Sequence, residues 1–291
     1  MKYSISRKLL EEKLRKVYMF VPSKSTLPVL ETIYMAIENG SLSLAGTNMD
    51  RGLKITGIEC TALENGGVCV DADKIKEIVT NFVGETIELY DENNSLFLKC
   101  GKSKSKLVTI PEVEYPPFRA FPENDKKLTF KMSDWITVSN MVSFCTGTDT
   151  AKPHMTGIAF FDGKARATNT FVLSSFPFET FNNKKLIVPK EPFKLIQQVF
   201  KSEDEIIWTY DKNLVYFTDR KQTVYSTLFE ETYPDFNSIL GRGHKTEVKV
   251  NTAELAKSVK LVGTICAGGN NIVILDCTTE GITVKADSAE V

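Results

Sequence analysis

Histidine is nearly missing from this chain: His154 and His244 are the only two in 291 residues, and neither stands in an HExxH or similar metal-ligand spacing. Histidine triads, metal clusters and imidazole general bases therefore have few candidates, and both histidines read as loop residues. The six cysteines, Cys60, Cys69, Cys100, Cys145, Cys266 and Cys277, are never closer than nine residues. That spacing excludes a CxxC metal or redox pair and points to scattered, half-buried thiols. Gly66-Gly67 and Gly268-Gly269 lack the context of a phosphate loop and read as turns. No stretch approaches eighteen uninterrupted apolar residues, and the opening MKYSISRKLLEEK lacks the apolar centre of a signal peptide, so a cytoplasmic protein is expected. An excess of either charge is absent too, with 36 basic against 37 acidic side chains, which removes any global pull on nucleic acid. Paired carboxylates such as Glu11-Glu12, Asp71 with Asp73, and Glu230-Glu231 fall on polar helix faces or in turns, where solvated surface is the default. No catalytic residue, cofactor or metal site is expected.

What is present is repetition. Laid over Gly66–Phe118 at a constant offset of 118, the stretch Lys184–Phe236 matches without a gap, and eleven of 53 positions are identical. Composition alone gives roughly three. In both copies a short apolar run leads into helical spacing: Ile75, Ile78, Val79, Phe82 and Val83 in one, Phe193, Ile196, Val199 and Phe200 in the other. Period-2 runs broken by polar turns follow, and a YPxF corner closes each copy at Tyr115–Phe118 and Tyr233–Phe236. The unit is βαβββ.

The other half of the chain carries a cousin of this unit. A strand pattern, a capping residue and a helical stripe recur from Lys2, Phe130 and Val248, with Ser6, Ser133 and Asn251 as the expected N-caps. Asn39-Gly40 and Asp162-Gly163 then mark hairpins. Helix starts near Ser6, Asp71, Ser133, Pro189 and Asn251 give a period of about sixty residues, so two units make one domain. The chain divides at 1–124, 125–244 and 245–291, the last being the first half of a third domain. Regularly spaced helices separated by meanders argue for an α+β protein with antiparallel sheets.

SRKLLEEKLRKV at the N-terminus, VPSKSTLPVLETI (Val21–Ile33), NGSLSLAGTNMDRGL (Asn39–Leu53) and the two YPxF corners resemble the beta sliding clamp of bacterial DNA polymerase III, over the whole chain. The resemblance implies the DNA-clamp fold and a non-catalytic processivity factor: a head-to-tail homodimer ring, helices lining a pore around duplex DNA. It implies sequence-independent DNA contact, and partners, DNA polymerase III and clamp-loader subunits, that dock through linear peptides. The five helices here carry a net +4 and the rest of the chain −5, the sign such a pore needs. By the same resemblance Lys24 and Lys152 stand in pore loops, and Arg7, Lys74 and Lys194 are helix residues facing DNA. Met155, Thr168 and Leu173 would line the peptide pocket.

At that pocket the chain departs from the family pattern. Where clamps read close to TDGHRL, the sequence has Thr168-Asn169-Thr170-Phe171-Val172-Leu173, and Gly241 replaces a usual proline. A sixth helix would begin near residue 312 by the repeat period, and the sequence ends at Val291. Poor affinity for the usual peptides is therefore expected. The competing reading is a degenerate or truncated clamp-like binding protein that no longer forms a ring.

Overall fold

A computed structural model of the protein describes residues 1–182, 184–230, 232–236, 240, 243, 246–264 and 272–286. Glu231, Gly241, His244, Cys266 and Gly268-Gly269 lie outside the described residues. The chain forms two compact units, Met1–Tyr233 and Pro234–Val291.

The first unit holds four successive repeats. The first is β1 (Lys2–Ser6), α1 (Arg7–Tyr18), β2 (Thr32–Glu38), β3 (Ser41–Thr47) and β4 (Arg51–Ile58), followed by a short extra strand, β5 (Thr61–Glu64). The second is β6 (Gly66–Asp71), α2 (Ala72–Asn81), β7 (Thr86–Glu92), β8 (Ser95–Cys100) and β9 (Ser103–Pro111). The third is β10 (Lys127–Lys131), α3 (Met132–Val142), β11 (Gly157–Phe161), β12 (Lys164–Thr168) and β13 (Leu173–Pro177). The fourth is β14 (Leu186–Pro189), α4 (Lys190–Val199), β15 (Glu205–Asp211), β16 (Leu214–Thr218) and β17 (Gln222–Thr227). The bounds of α2 and α4 differ by 118 at both ends. Both helices end alike, with Phe82 N–H donating to Ile78 O at 3.0 Å and Phe200 N–H to Ile196 O at 3.1 Å.

The leading strand of every repeat leaves its own meander for that of its sister. β1 pairs with β7 and β6 with β2; β10 pairs with β15 and β14 with β11. This reciprocal exchange relates the sister repeats by a pseudo-twofold axis, and each ladder in it is antiparallel, as the sequence predicts. The hairpin signals act as expected: Asn39, Gly40, Asp162 and Gly163 all adopt positive φ, the geometry of a type I′ turn, whose twist suits the flanking strands.

Two expected caps do not form. Ser6 makes no side-chain cap, and α3 starts at Met132, one residue before the Ser133 expected to cap it. The exposed N–H groups are met instead by main-chain carbonyls after the sister helix: Arg7 N–H donates to Glu85 O at 2.8 Å, and Met132 N–H to Asp204 O at 2.9 Å. The strand exchange brings those loops to the helix entries, so a serine hydroxyl is not needed. Asp71 does cap α2, accepting from Lys74 N–H at 2.9 Å.

One apolar core runs through the unit, with different fillings. Sister helices α1 and α2 bury Leu10, Leu14, Val17, Ile75 and Val79 against aliphatic strands. Around α3 and α4 the filling is aromatic: Trp135 packs on Phe193 with ring centroids 4.4 Å apart, on Phe217 at 5.1 Å and on Phe160 at 5.5 Å, while its indole N–H donates to Phe193 O at 3.1 Å.

The two repeat pairs are joined by their sheet edges. β17 pairs with β4 from Gln222↔Ile55 to Ser226↔Arg51, which makes a continuous thirteen-stranded sheet from β10 to β5. The close approach needs a residue without a side chain at Gly52, because a Cβ there would meet Tyr225 Cε1 at 2.5 Å.

The second unit is one partial repeat: α5 (Thr252–Gly263), then the hairpin β18 (Val273–Cys277) and β19 (Ile282–Ala286). Asn251 caps α5, accepting from Ala253 N–H at 2.9 Å and Glu254 N–H at 3.2 Å. Among the described residues no helix is long and apolar enough to cross a membrane, and no group of three or more His, Cys, Asp and Glu side chains could hold a metal ion.

Candidate DNA and peptide interfaces

The β4–β17 joint brings together two of the basic residues singled out in the sequence, Lys24 and Lys194. Along it Arg51 forms a bidentate pair with Glu191, Nη1–Oε2 2.8 Å and Nη2–Oε1 2.7 Å, a planar fork that fixes both partners. The Thr47 and Tyr225 hydroxyls share a short buried hydrogen bond. From α1, Lys16 Nζ donates to Val199 O at 2.7 Å and Gln222 Oε1 at 3.2 Å, tying the first helix to the last strand and helix of the neighbouring pair. Burial, and then the nearby Lys13, lowers the Lys16 ammonium below the usual lysine value.

Two clefts open beside this joint, and Arg51 lines both. One, of about 450 Å³, includes Tyr18, Lys24, Glu31, Asn48 and Asp73. The other, of about 640 Å³, includes Thr148, Lys190, Glu191, Lys194 and Thr227. Lys24 and Lys194, predicted from different parts of the sequence, therefore flank one arginine. Burial, and then the neighbouring Lys194, lower the Lys190 ammonium below the usual lysine value. Lys152 is exposed in the loop four residues after Thr148.

The remaining two predicted contacts stand apart. Arg7, at the other end of α1, donates through Nε to Gly84 O at 3.1 Å and pairs with Glu11 at 2.8 Å, so it braces α1 against the end of α2. Lys74 is exposed but lies 3.3 Å from Asp71, its own helix's cap. Sequence reading missed Arg51. Its signal was present in the quoted NMDRGL stretch, yet nothing in one sequence says that Glu191 and two clefts meet there.

The predicted peptide site is built around the β12–β13 turn. Thr168 and Leu173 are register partners at its base. The Thr168 hydroxyl donates to Val172 O at 2.8 Å, and Asn169 Oδ1 accepts from Phe171 N–H at 3.0 Å and Val172 N–H at 2.8 Å. This side-chain lacing closes the turn with Thr170 at φ 78° and thrusts Phe171 outward, 93% exposed. Phe144 and Met141, near the end of α3, are also exposed, and α3 is tied to β13 where Ser174 Oγ donates to Met141 O at 2.6 Å. Met155 sits in the single turn Pro153–Thr156, its carbonyl held by Gly147 N–H at 2.7 Å. Tyr233 joins the two places: its hydroxyl accepts from Thr168 N–H at 3.1 Å and its ring lies 6.4 Å from His154. Burial pushes that phenol up to about 12, so it stays protonated.

Comparison with known proteins agrees with this architecture. The family described as DNA polymerase III beta subunit, N-terminal domain, matches residues 1–119. The beta sliding clamp of Streptococcus pneumoniae is 22% identical over 313 aligned positions, covering 99% of this chain and 81% of the relative. Among solved structures, the sliding clamp of Bacillus subtilis superposes with a TM-score of 0.91 at 21% identity, over 100% of this chain and 81% of that one. The Helicobacter pylori beta clamp bound to a DNA ligase peptide gives 0.77 at 23% identity, over 91% of this chain and 76% of that one. Residues 1–119 thus belong to the DNA polymerase III beta subunit N-terminal domain family, and the chain over its length is related to the beta sliding clamps and shares their fold.

Proposed function

We propose that the protein is a sliding clamp, a processivity factor that surrounds duplex DNA without reading its sequence and tethers a replicative polymerase. In this reading it is an accessory subunit with no active site of its own, works in the cytoplasm, and is organised as domains 1–124, 125–244 and 245–291, the last the first half of a clamp domain. The observation that carries it is the β4–β17 joint. There two complete two-helix domains meet edge to edge, and repetition of that contact by a head-to-tail pair of chains gives a ring. Lysines at the joint then meet phosphates, and contacts of that kind leave a ring free to slide.

Lys24, Lys152, Lys194, Lys74 and Arg7 are the proposed DNA-facing residues, with Arg51 added by its place between the clefts. Lys24 carries the test because it is exposed and no ion pair holds it among the described contacts. Lys24→Glu should weaken loading onto primed DNA about tenfold and flatten its salt dependence. Equal loading of both proteins across a salt series would remove Lys24 from the interface.

Met155, Thr168 and Leu173 are the proposed peptide-pocket residues. A crystal structure of the Helicobacter pylori clamp carries a DNA ligase peptide, which supports a peptide-docking role here. Polymerase III and clamp-loader subunits are the proposed partners. Phe171 and Val172 remove the polar groups usual at this turn, which favours a more apolar peptide and gives the reading of a degenerate binding protein its one specific support. Fluorescence titration with a generic clamp-binding peptide should give affinity weaker than micromolar, and Leu173→Asp should abolish what remains.

A further inference from the structure

The alternation that buries Ile87, Leu89, Leu96, Leu98 and Leu107 turns the other face of β1, β7, β8 and β9 to solvent. Across that face the register sets Lys2, Tyr90, Phe97 and Lys106 in one row, one residue from each strand. The Tyr90 and Phe97 rings stack 4.9 Å apart at 9°, and Lys106 Nζ lies 5.3 Å from the Phe97 ring centroid. Tyr90 is the outer ring of the stack, 38% exposed, and its other register partner is the exposed Lys2. The next row holds Ser4, Glu88, Lys99 and Lys104, and Lys102 stands in the turn between β8 and β9.

Charge is gathered here in a way that folding does not ask for. Lys104 lies directly opposite Lys99, and like charges at opposed positions work against strand pairing. Glu88 answers one of them, 3.3 Å from Lys99. Lys102, Lys104 and Lys106 are all exposed, and no ion pair holds them among the described contacts. In Gly101-Lys102-Ser103-Lys104-Ser105-Lys106 the period of two sends Lys104 and Lys106 to the same side, about 7 Å apart along β9. The other acids of the face, Glu64 on β5 and Glu92 beside Ser95, stand away from the β8–β9 hairpin.

Exposed stacked rings bordered by lysines without ion pairs match one ligand chemistry. Nucleobases offer flat faces that lengthen such a stack, and the phosphates that link them meet the ammonium groups. A duplex keeps its bases stacked inside, and an acidic peptide brings charge without rings. We infer that this solvent face of β1, β7, β8 and β9 binds single-stranded nucleic acid without selecting a sequence, with a base against Tyr90 and phosphates on Lys104 and Lys106. The site shares no residue with the clefts beside the β4–β17 joint, and it depends neither on a ring nor on the proposed clamp activity.

Fluorescence anisotropy with a labelled oligothymidylate of about fifteen nucleotides tests this on the full chain. The expected isotherm saturates and weakens as salt rises. Lys104→Gln combined with Lys106→Gln should weaken binding about tenfold and lower the salt slope by about 1.4, the share of two phosphates on a single strand. Tyr90→Ala should weaken it about tenfold at an unchanged slope, whereas Tyr90→Phe, which keeps the ring, should bind as the parent does. The same glutamine exchange at Lys131 and Lys164, exposed lysines of the third repeat, removes equal charge and should leave the affinity unchanged. Every altered side chain is exposed, and urea unfolding followed by the fluorescence of Trp135 and Trp208 verifies that each variant is folded. Failure of the oligonucleotide to bind overturns the inference. Binding that the variants at Tyr90, Lys104 and Lys106 leave intact, or that the control pair weakens equally, overturns it as well. Displacement of the oligonucleotide by an equal charge of polyglutamate would also overturn it and give the face to an acidic protein.

Discussion

Among the tyrosines that burial holds protonated beyond the usual phenol range, four stand out, Tyr34 and Tyr233 being pushed up to about 12 and Tyr3 and Tyr115 higher still. A phenol raised in the folded state from an unfolded value of 10.0 favours folding fully below pH 10, and that stability is lost as pH rises toward 12. Alkaline unfolding should therefore begin above pH 10, and phenolate absorbance of these four should appear together with loss of tryptophan signal. Tyr233→Phe should cost about 1–3 kcal/mol in urea unfolding, because Thr168 N–H is left buried without its acceptor. Both corner tyrosines were visible in the sequence as YPxF, but not what their hydroxyls do. Apolar spacing says that Tyr233 goes inside; a hydrogen bond across 65 residues has no local trace.

Elements were legible wherever periodicity was local. The constant offset of 118 placed α2 and α4 at equivalent positions, within one or two residues of their observed ends, since sister helices must fill equivalent cores. Edges were another matter. Alternation in β4 and β17 tells which face is buried and leaves open which strand lies alongside, so the joint between them was not predicted. The failed caps at Ser6 and Ser133 have the same origin, because the carbonyls that replaced them arrive from a sister repeat, Glu85 O at Arg7 and Asp204 O at Met132. The joint makes a sharp prediction. Gly52→Val drives a side chain into Tyr225 and should destabilise the first unit by about 1–3 kcal/mol in urea unfolding followed by tryptophan fluorescence. Stability equal to that of the parent would mean that β17 can leave β4 without loss.

At the scale of the molecule, an edge-to-edge sheet with its lysines gathered beside the joint suits a protein that holds DNA by topology rather than by tight contacts. Net charge gave no hint of this, because the acidic remainder of the chain nearly cancels the basic helices. Nor could single-sequence reading find the cluster of Lys24, Arg51 and Lys194, whose members are far apart until β17 meets β4. The most direct measurement is retention on DNA of different topology, with labelled protein loaded by a bacterial clamp loader onto a nicked circular plasmid and followed through gel filtration. The account predicts that the protein stays with the circle at moderate salt and runs off once the plasmid is cut. Equal retention on circular and linear DNA, or none on either, would contradict it.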